Sequence, residues 1–374
     1  MHADFRSRTA LGGSLAAGSS PALTSARTGE VEPCRGRACL RSRLASGSPD
    51  APKVPVSFTA PRGARGEGVL PDNSWGVLRC WLALAALLLL AGCGSPPPAS
   101  QPGAIAAETK SCFATFGTNK VHYVVEGRGR PAIVLVHCWS GNLGFWREQV
   151  PALAGRARLV LVDLPGHGRS DRPQTTYSMD FFAGAVLAVM RDAHVDRATL
   201  IGHSMGVPVI SRVYHLAPRR VAALVSVDGL LRRPDFTAEQ AAQFTDQFRA
   251  PDYRENVRTF LGSMFPIPGT EAVREQVTAE ILQTPQPVMV GAMEGLFGAS
   301  QPDWSLRHAT VPVLVLNAPN DMWTDEYLEY VRSLSLQTDY RVIDGTGHWL
   351  MLEKPAEFNA ALVDMLGKFG LIGK

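Results

Sequence analysis

Short unbroken aliphatic runs punctuate the second half of the chain. Residues 132–136, 159–163, 198–201, 222–227 and 313–316 carry Val, Ile, Leu or Ala at nearly every position. Strands covered on both faces read this way, and such strands belong to parallel sheets. Between the runs the apolar spacing changes to 3.6. Phe181, Phe182, Ala185, Val186, Val189 and Met190 share one helical face, as do Phe358, Leu362, Met365 and Phe369. Alternating β and α segments predict an α/β domain with a doubly wound, mostly parallel sheet and a ligand site at the strands' carboxyl ends. From about 230 to 305 the alternation fails. Pro234, Pro251, Pro266, Pro268, Pro285 and Pro287 divide that segment into several helical pieces, which predicts a helical cap insertion. Met289, Ala292, Met293, Leu296 and Phe297 form an apolar stripe on it, either ordinary packing or the adaptable roof of an acyl pocket.

The chain before residue 111 has a different pattern. Residues 1–76 are dominated by Arg, Gly, Ser, Ala and Pro, with apolar residues standing singly. Such a stretch buries too little surface to offset its ordering entropy, so it reads as a disordered leader or a spurious extension. Residues 77–93 have the layout of a signal peptide: a short basic start, an apolar run from Trp81 to Ala91, then Gly92 and Cys93. The ending Leu90-Ala91-Gly92-Cys93 resembles the lipobox of bacterial lipoproteins. That resemblance implies lipidation of Cys93, export and attachment to a bacterial membrane through the lipid. It also implies a true start near Val77, since signal peptides sit at N-termini. Residues 94–110 read as a Pro/Ser linker, and 111–374 as the catalytic domain.

Composition excludes more than it asserts. Of 374 residues 45% are hydrophobic, an ordinary globular content, and the formal charge of +3 is too weak to argue for nucleic acid. The 6 cysteines form no CxxC pair and no metal-ligand spacing, so neither metal nor cofactor is expected.

The chemistry gathers around Gly202-His203-Ser204-Met205-Gly206, which follows an aliphatic run and opens a helix near Met205. In a G-x-S-x-G turn the strand bends sharply into the helix, and the glycines let neighbouring backbone pass closely. The serine is lifted above the sheet edge, and the helix N-terminus offers an N–H to a developing oxyanion. Leu135-Val136-His137-Cys138-Trp139-Ser140-Gly141, Asp163-Leu164-Pro165-Gly166-His167-Gly168-Arg169-Ser170, the segment from Val311 to Asp321, and Gly345-Thr346-Gly347-His348-Trp349 complete the pattern. Together these motifs resemble the α/β-hydrolase family over nearly all of residues 113–370.

The resemblance implies a serine hydrolase with Ser204 as nucleophile, His348 as base and Asp321 as acid. Asp228, at the end of an earlier strand, is the alternative acid. The N–H groups of Met205 and Trp139 would hold the oxyanion. A serine hydroxyl needs an adjacent imidazole to take its proton, and the acid fixes the imidazole tautomer. His203 reads as structural and His167 as packing, while His194, His215 and His308 read as surface or helix-end residues. Cys138 stands where the family usually has Gly; it reads as a small buried residue, with a reactive thiol or a disulfide to Cys112 as the other options. The expected reaction is cleavage of a carboxylic ester of a small-molecule acyl substrate. A carbon–carbon bond hydrolase or a cofactor-free perhydrolase would use the same triad. A non-catalytic binding protein on the same scaffold is a further alternative, though all three triad positions are filled. Acyl specificity and oligomeric state are not encoded in any of these motifs.

Overall fold

The computed structural model describes residues 110–298 and 301–373. The segments expected to be a leader, a signal peptide ending at Cys93 and a linker, up to residue 109, lie outside the described residues.

Eight strands make one sheet: β1 Lys110–Phe116, β2 Asn119–Glu126, β3 Ala132–Val136, β4 Arg158–Val162, β5 Ala198–His203, β6 Val221–Val227, β7 Val313–Asn317 and β8 Thr338–Val342. Their order is β1-β2-β4-β3-β5-β6-β7-β8. The six strands from β3 to β8 run parallel, with β2 antiparallel to β4 and β1 antiparallel to β2. The five aliphatic runs are β3 to β7. Every residue of β3, β5 and β7 is buried, which is why no alternation marks them.

The helices are α1 Val150–Leu153, α2 Met179–Asp192, α3 Gly206–Leu216, α4 Ala238–Arg249, α5 Tyr253–Gly262, α6 Glu271–Ile281, α7 Gln286–Phe297, α8 Asp325–Ser333, α9 Leu350–Glu353 and α10 Pro355–Lys368. In α2 the apolar stripe turns Phe182, Ala185, Val186, Val189 and Met190 into the core. The Ser178 side chain caps it by accepting from Phe181 N, and Asp180 and Arg191 complement its dipole at the two ends. Helices α4 to α7 form the insertion between β6 and β7. Pro285 stands at the N-cap of α7 and Pro287 in its first turn, where a missing N–H costs nothing. Among the described residues no helix is long and apolar enough to cross a membrane.

This strand order determines where a ligand can sit. From β3 the chain moves outward to β4, whereas from β5 it moves the other way to β6. The crevice at this switch point opens outside the carboxyl ends of β3 and β5. The loops there begin at His137 and Ser204.

Candidate active site

Ser204 sits where β5 turns into α3, at a positive φ of 53°. A non-glycine residue held there is strained, and the surroundings hold it firmly. Ser204 N donates to Val227 O at 3.0 Å, and Val207 N donates to Ser204 O at 2.9 Å. The two flanking glycines have a steric cause. A Cβ on Gly202 would lie 2.4 Å from Gly206 O, and one on Gly206 would lie 2.5 Å from Val136 O.

The hydrogen bond from Ser204 to Val227 sets the elbow beside the end of β6, and Asp228 is the next residue there. Asp228 is buried and holds a positive φ of 42°. Its Oδ1 accepts from Ala318 N at 2.9 Å, and its Oδ2 accepts from His348 Nδ1 at 2.6 Å. Both oxygens are thereby aimed. The histidine loop is tied to the elbow from the other side, since His203 Nε2 donates to His348 O at 2.8 Å and the two rings lie 4.8 Å apart. Glu353 shapes the same loop by accepting from Gly347 N at 2.8 Å and Trp349 N at 3.0 Å. Among the described residues no hydrogen bond joins Ser204 Oγ to the His348 ring. Such bonds often tighten only when substrate binds.

The acid therefore differs from the one expected. Asp321 is exposed on the turn four residues beyond β7, and among the described residues no hydrogen bond or ion pair joins it to His348. Asp228 is the carboxylate bonded to His348, because β6 neighbours the elbow strand directly and its end carries Asp228 to the histidine. The signal was present in the sequence, as an Asp-Gly pair closing an aliphatic run.

Met205 is the N-cap of α3, so its peptide N–H lies at the helix's positive end. Trp139 is buried in the loop after β3. Its side chain belongs to the cap: Nε1 donates to Met289 O at 2.8 Å, and the ring packs 4.9 Å from Phe248 and 5.9 Å from Phe260. His137 anchors this loop. Leu164 N donates to its Nε2 at 3.0 Å, so its proton is on Nδ1, which donates to Cys138 O at 2.7 Å. Burial holds His137 below the usual imidazole range. Met205 and Ser204 follow β5 and Trp139 follows β3, the two strands whose carboxyl ends meet at the switch point, and His348 is tied to this elbow through His203.

Cys138 is buried, and burial pushes its thiol up, so it is a neutral packing residue rather than a reactive one. Cys112 and Cys138 are both free. They stand on β1 and just after β3, three strand spacings or roughly 14 Å apart, too far for a disulfide. His167 is buried 5.0 Å from His137, and burial first, then that neighbour, lowers it to about 3. His194 and His308 hold positive φ in connecting segments, and His215 lies in the last turn of α3, all away from the crevice.

What the motifs did not reveal is how the insertion meets the site. His348 N donates to Met264 O at 3.0 Å, Thr284 Oγ1 donates to Ser140 O at 2.9 Å, and Phe265 stacks on Trp349 at 4.9 Å. The insertion therefore bonds both the Trp139 loop and the histidine loop, largely through main-chain carbonyls that leave no trace in a residue pattern.

Residues 131–355 match the model of a family described as the alpha/beta hydrolase fold. The chain is similar to the dihydrolipoyllysine-residue acetyltransferase component of the acetoin cleaving system of Cupriavidus necator, 27% identical over 281 residues, which is 72% of each chain. It is also similar to pimeloyl-(acyl-carrier protein) methyl ester esterase of Edwardsiella ictaluri, 30% identical over 253 residues, covering 64% of this chain and 94% of that protein. Among solved structures, the enol-lactonase from Burkholderia xenovorans LB400 superposes with a TM-score of 0.62 at 21% identity, covering 68% of this chain and 100% of that one. That last likeness is one of fold.

Proposed function

The chain belongs to the alpha/beta hydrolase fold family, and from that premise we propose that it cleaves carboxylic esters through an acyl-Ser204 intermediate. The observation that carries the reading is the 2.6 Å hydrogen bond between His348 Nδ1 and buried Asp228, beside a strained serine. With its Nδ1 proton given to Asp228, the imidazole presents a free Nε2 lone pair as base. His348 takes the Ser204 proton as Oγ attacks the ester carbonyl. The Met205 and Trp139 N–H groups hold the developing oxyanion, each such donor being worth on the order of a hundredfold in rate or more. His348 then returns the proton to the leaving alcohol, and a water activated by the same histidine releases the acid. Asp228 stabilises the imidazolium throughout.

Similarity to a methyl ester esterase supports an ester as substrate. The aromatic packing of Trp139 with Phe248 and Phe260 behind the oxyanion loop supports an apolar acyl group. Lipid attachment at Cys93 is part of the same proposal. It is supported by the Leu-Ala-Gly-Cys ending and the Pro/Ser tether that follows, and would hold the enzyme at a bacterial membrane surface.

The test is a panel of p-nitrophenyl esters of increasing acyl length set against a vinylogous ring-cleavage diketone. Ester turnover is expected, with Ser204→Ala reducing it by about a thousandfold or more. Preference for the diketone would move the enzyme to carbon–carbon bond hydrolysis, and full activity in Ser204→Ala would remove Ser204 from the mechanism.

A further inference from the structure

A second Ser–His–Asp arrangement stands toward the β1 edge of the sheet. In the β1–β2 ladder Phe113 faces His122 and Ser111 faces Val124, so Ser111 and His122 are diagonal neighbours on one face. Ser111 Oγ and His122 Nε2 are 2.9 Å apart, and His122 Nδ1 lies 2.7 Å from Asp163 Oδ2. Arg169 Nη1 is 3.1 Å from Ser111 Oγ and 3.3 Å from His122 Nε2.

These contacts fix the protons. An arginine N–H can only donate, so His122 Nε2 is an acceptor and the ring proton lies on Nδ1, donated to Asp163. Nε2 has one lone pair, and the shorter contact, the Ser111 hydroxyl at 2.9 Å, takes it, while Ser111 Oγ accepts in turn from Arg169 and the 3.3 Å approach of Arg169 to Nε2 stays the weaker one. The imidazole is held rigidly as well: His122 N donates to Ser170 Oγ at 2.8 Å, and Phe113 covers the ring at 5.0 Å. Asp163 is equally constrained, accepting from Leu143 N at 2.8 Å and Arg169 N at 3.0 Å besides His122. Burial alone would raise this carboxyl, yet those hydrogen bonds bring it below the usual carboxylate range. His122 and Asp163 are buried, whereas Ser111 and Arg169 are exposed.

We propose that Ser111, activated by His122 and Asp163, is a second nucleophilic site that takes activated carboxylic and phosphonic esters. As Ser111 Oγ forms a bond to the carbonyl carbon or phosphorus, its proton passes to His122 Nε2, and the imidazolium is paired with Asp163. The leaving group departs with its bonding electrons and takes up that proton. Arg169, bonded to Ser111 Oγ at 3.1 Å, would pair with the substrate oxygen on which negative charge develops. The product is an ester of Ser111, formed four strand spacings, or roughly 19 Å, from the elbow strand β5.

The test uses the full chain carrying Ser204→Ala, so that it does not depend on the first site. The protein is incubated with an alkyl fluorophosphonate and followed by intact mass and peptide mapping. One adduct is expected, on Ser111, forming at least about tenfold faster than on Ser333, an exposed serine whose hydroxyl donates only to Tyr330 O. Adding Ser111→Ala should abolish it. Replacing exposed Arg169 by Gln should slow it severalfold without demanding that a buried position refold. Absence of a Ser111 adduct, labelling of Ser111 no faster than Ser333, or a rate unaffected by Arg169→Gln would each overturn the proposal.

Discussion

A carboxylate orients a histidine most firmly where it accepts the ring N–H and its other oxygen is also held. Asp228 meets that condition, with Ala318 N on one oxygen and His348 Nδ1 on the other. Exposed Asp321 does not. Asp228→Asn should therefore cost on the order of a thousandfold in kcat/KM on a p-nitrophenyl ester, because the amide favours the wrong imidazole tautomer. Asp321→Asn should stay within about twofold of wild type, with both variants giving native circular dichroism. The opposite ranking would restore Asp321 as the acid. Ser204 and His348 stand out as candidates in the sequence because their signals are local, a serine between two crossing glycines and a histidine behind Gly345 and Gly347. The choice between Asp228 and Asp321 was not local, since both follow strands and only the packing of β6 against β5 decides which loop faces the histidine. Ser111 and His122 carried no signal at all, as their pairing exists only once β1 and β2 are in register.

The strands divide in the same way between those that speak for themselves and those that do not. β3 to β7 are covered on both faces, so they appear as unbroken aliphatic runs. β1, β2 and β8 lie toward the sheet's two edges, and their patterns mix Lys, Ser, His, Asp and Arg with apolar residues. The turns and ends of β3, β4 and β5 also bury three histidines, His137, His167 and His203, all lowered first by burial. That has a consequence for acid stability. His167 resists protonation down to about 3 in the folded protein, whereas an unfolded histidine takes its proton near 6.5. Between those values the unfolded state binds more protons, so stability is full above about 6.5 and falls as pH drops, by up to about 1.4 kcal/mol per pH unit for each such histidine. Thermal melts from pH 7 to pH 4 should show a falling Tm, and His167→Gln should flatten that fall. An equally steep fall in the variant would show that carboxylates alone carry the acid transition.

At the scale of the whole molecule, the insertion is the segment that departs from the β/α alternation of the scaffold. Its existence was legible from prolines and from the break in β/α alternation. Its docking was not, because Met264 O and Met289 O are main-chain atoms that any residue would supply. Through them the insertion holds the histidine loop and the Trp139 loop at once, so in the proposed mechanism substrate selection and the oxyanion site would share one set of contacts. The Met289 and Met293 part of its apolar stripe is buried, and Phe297 packs against Phe236 and Phe244. All of this serves the claim that Ser204 carries the acyl group. The most direct measurement is rapid-quench mass spectrometry of the full chain turning over p-nitrophenyl pivalate, whose crowded acyl group slows deacylation. The peptide containing Ser204 should gain the pivaloyl mass during the first turnover and lose it at the steady-state rate, with no such species in Ser204→Ala. Continued turnover by the wild-type protein with the Ser204 peptide unmodified throughout would contradict the mechanism.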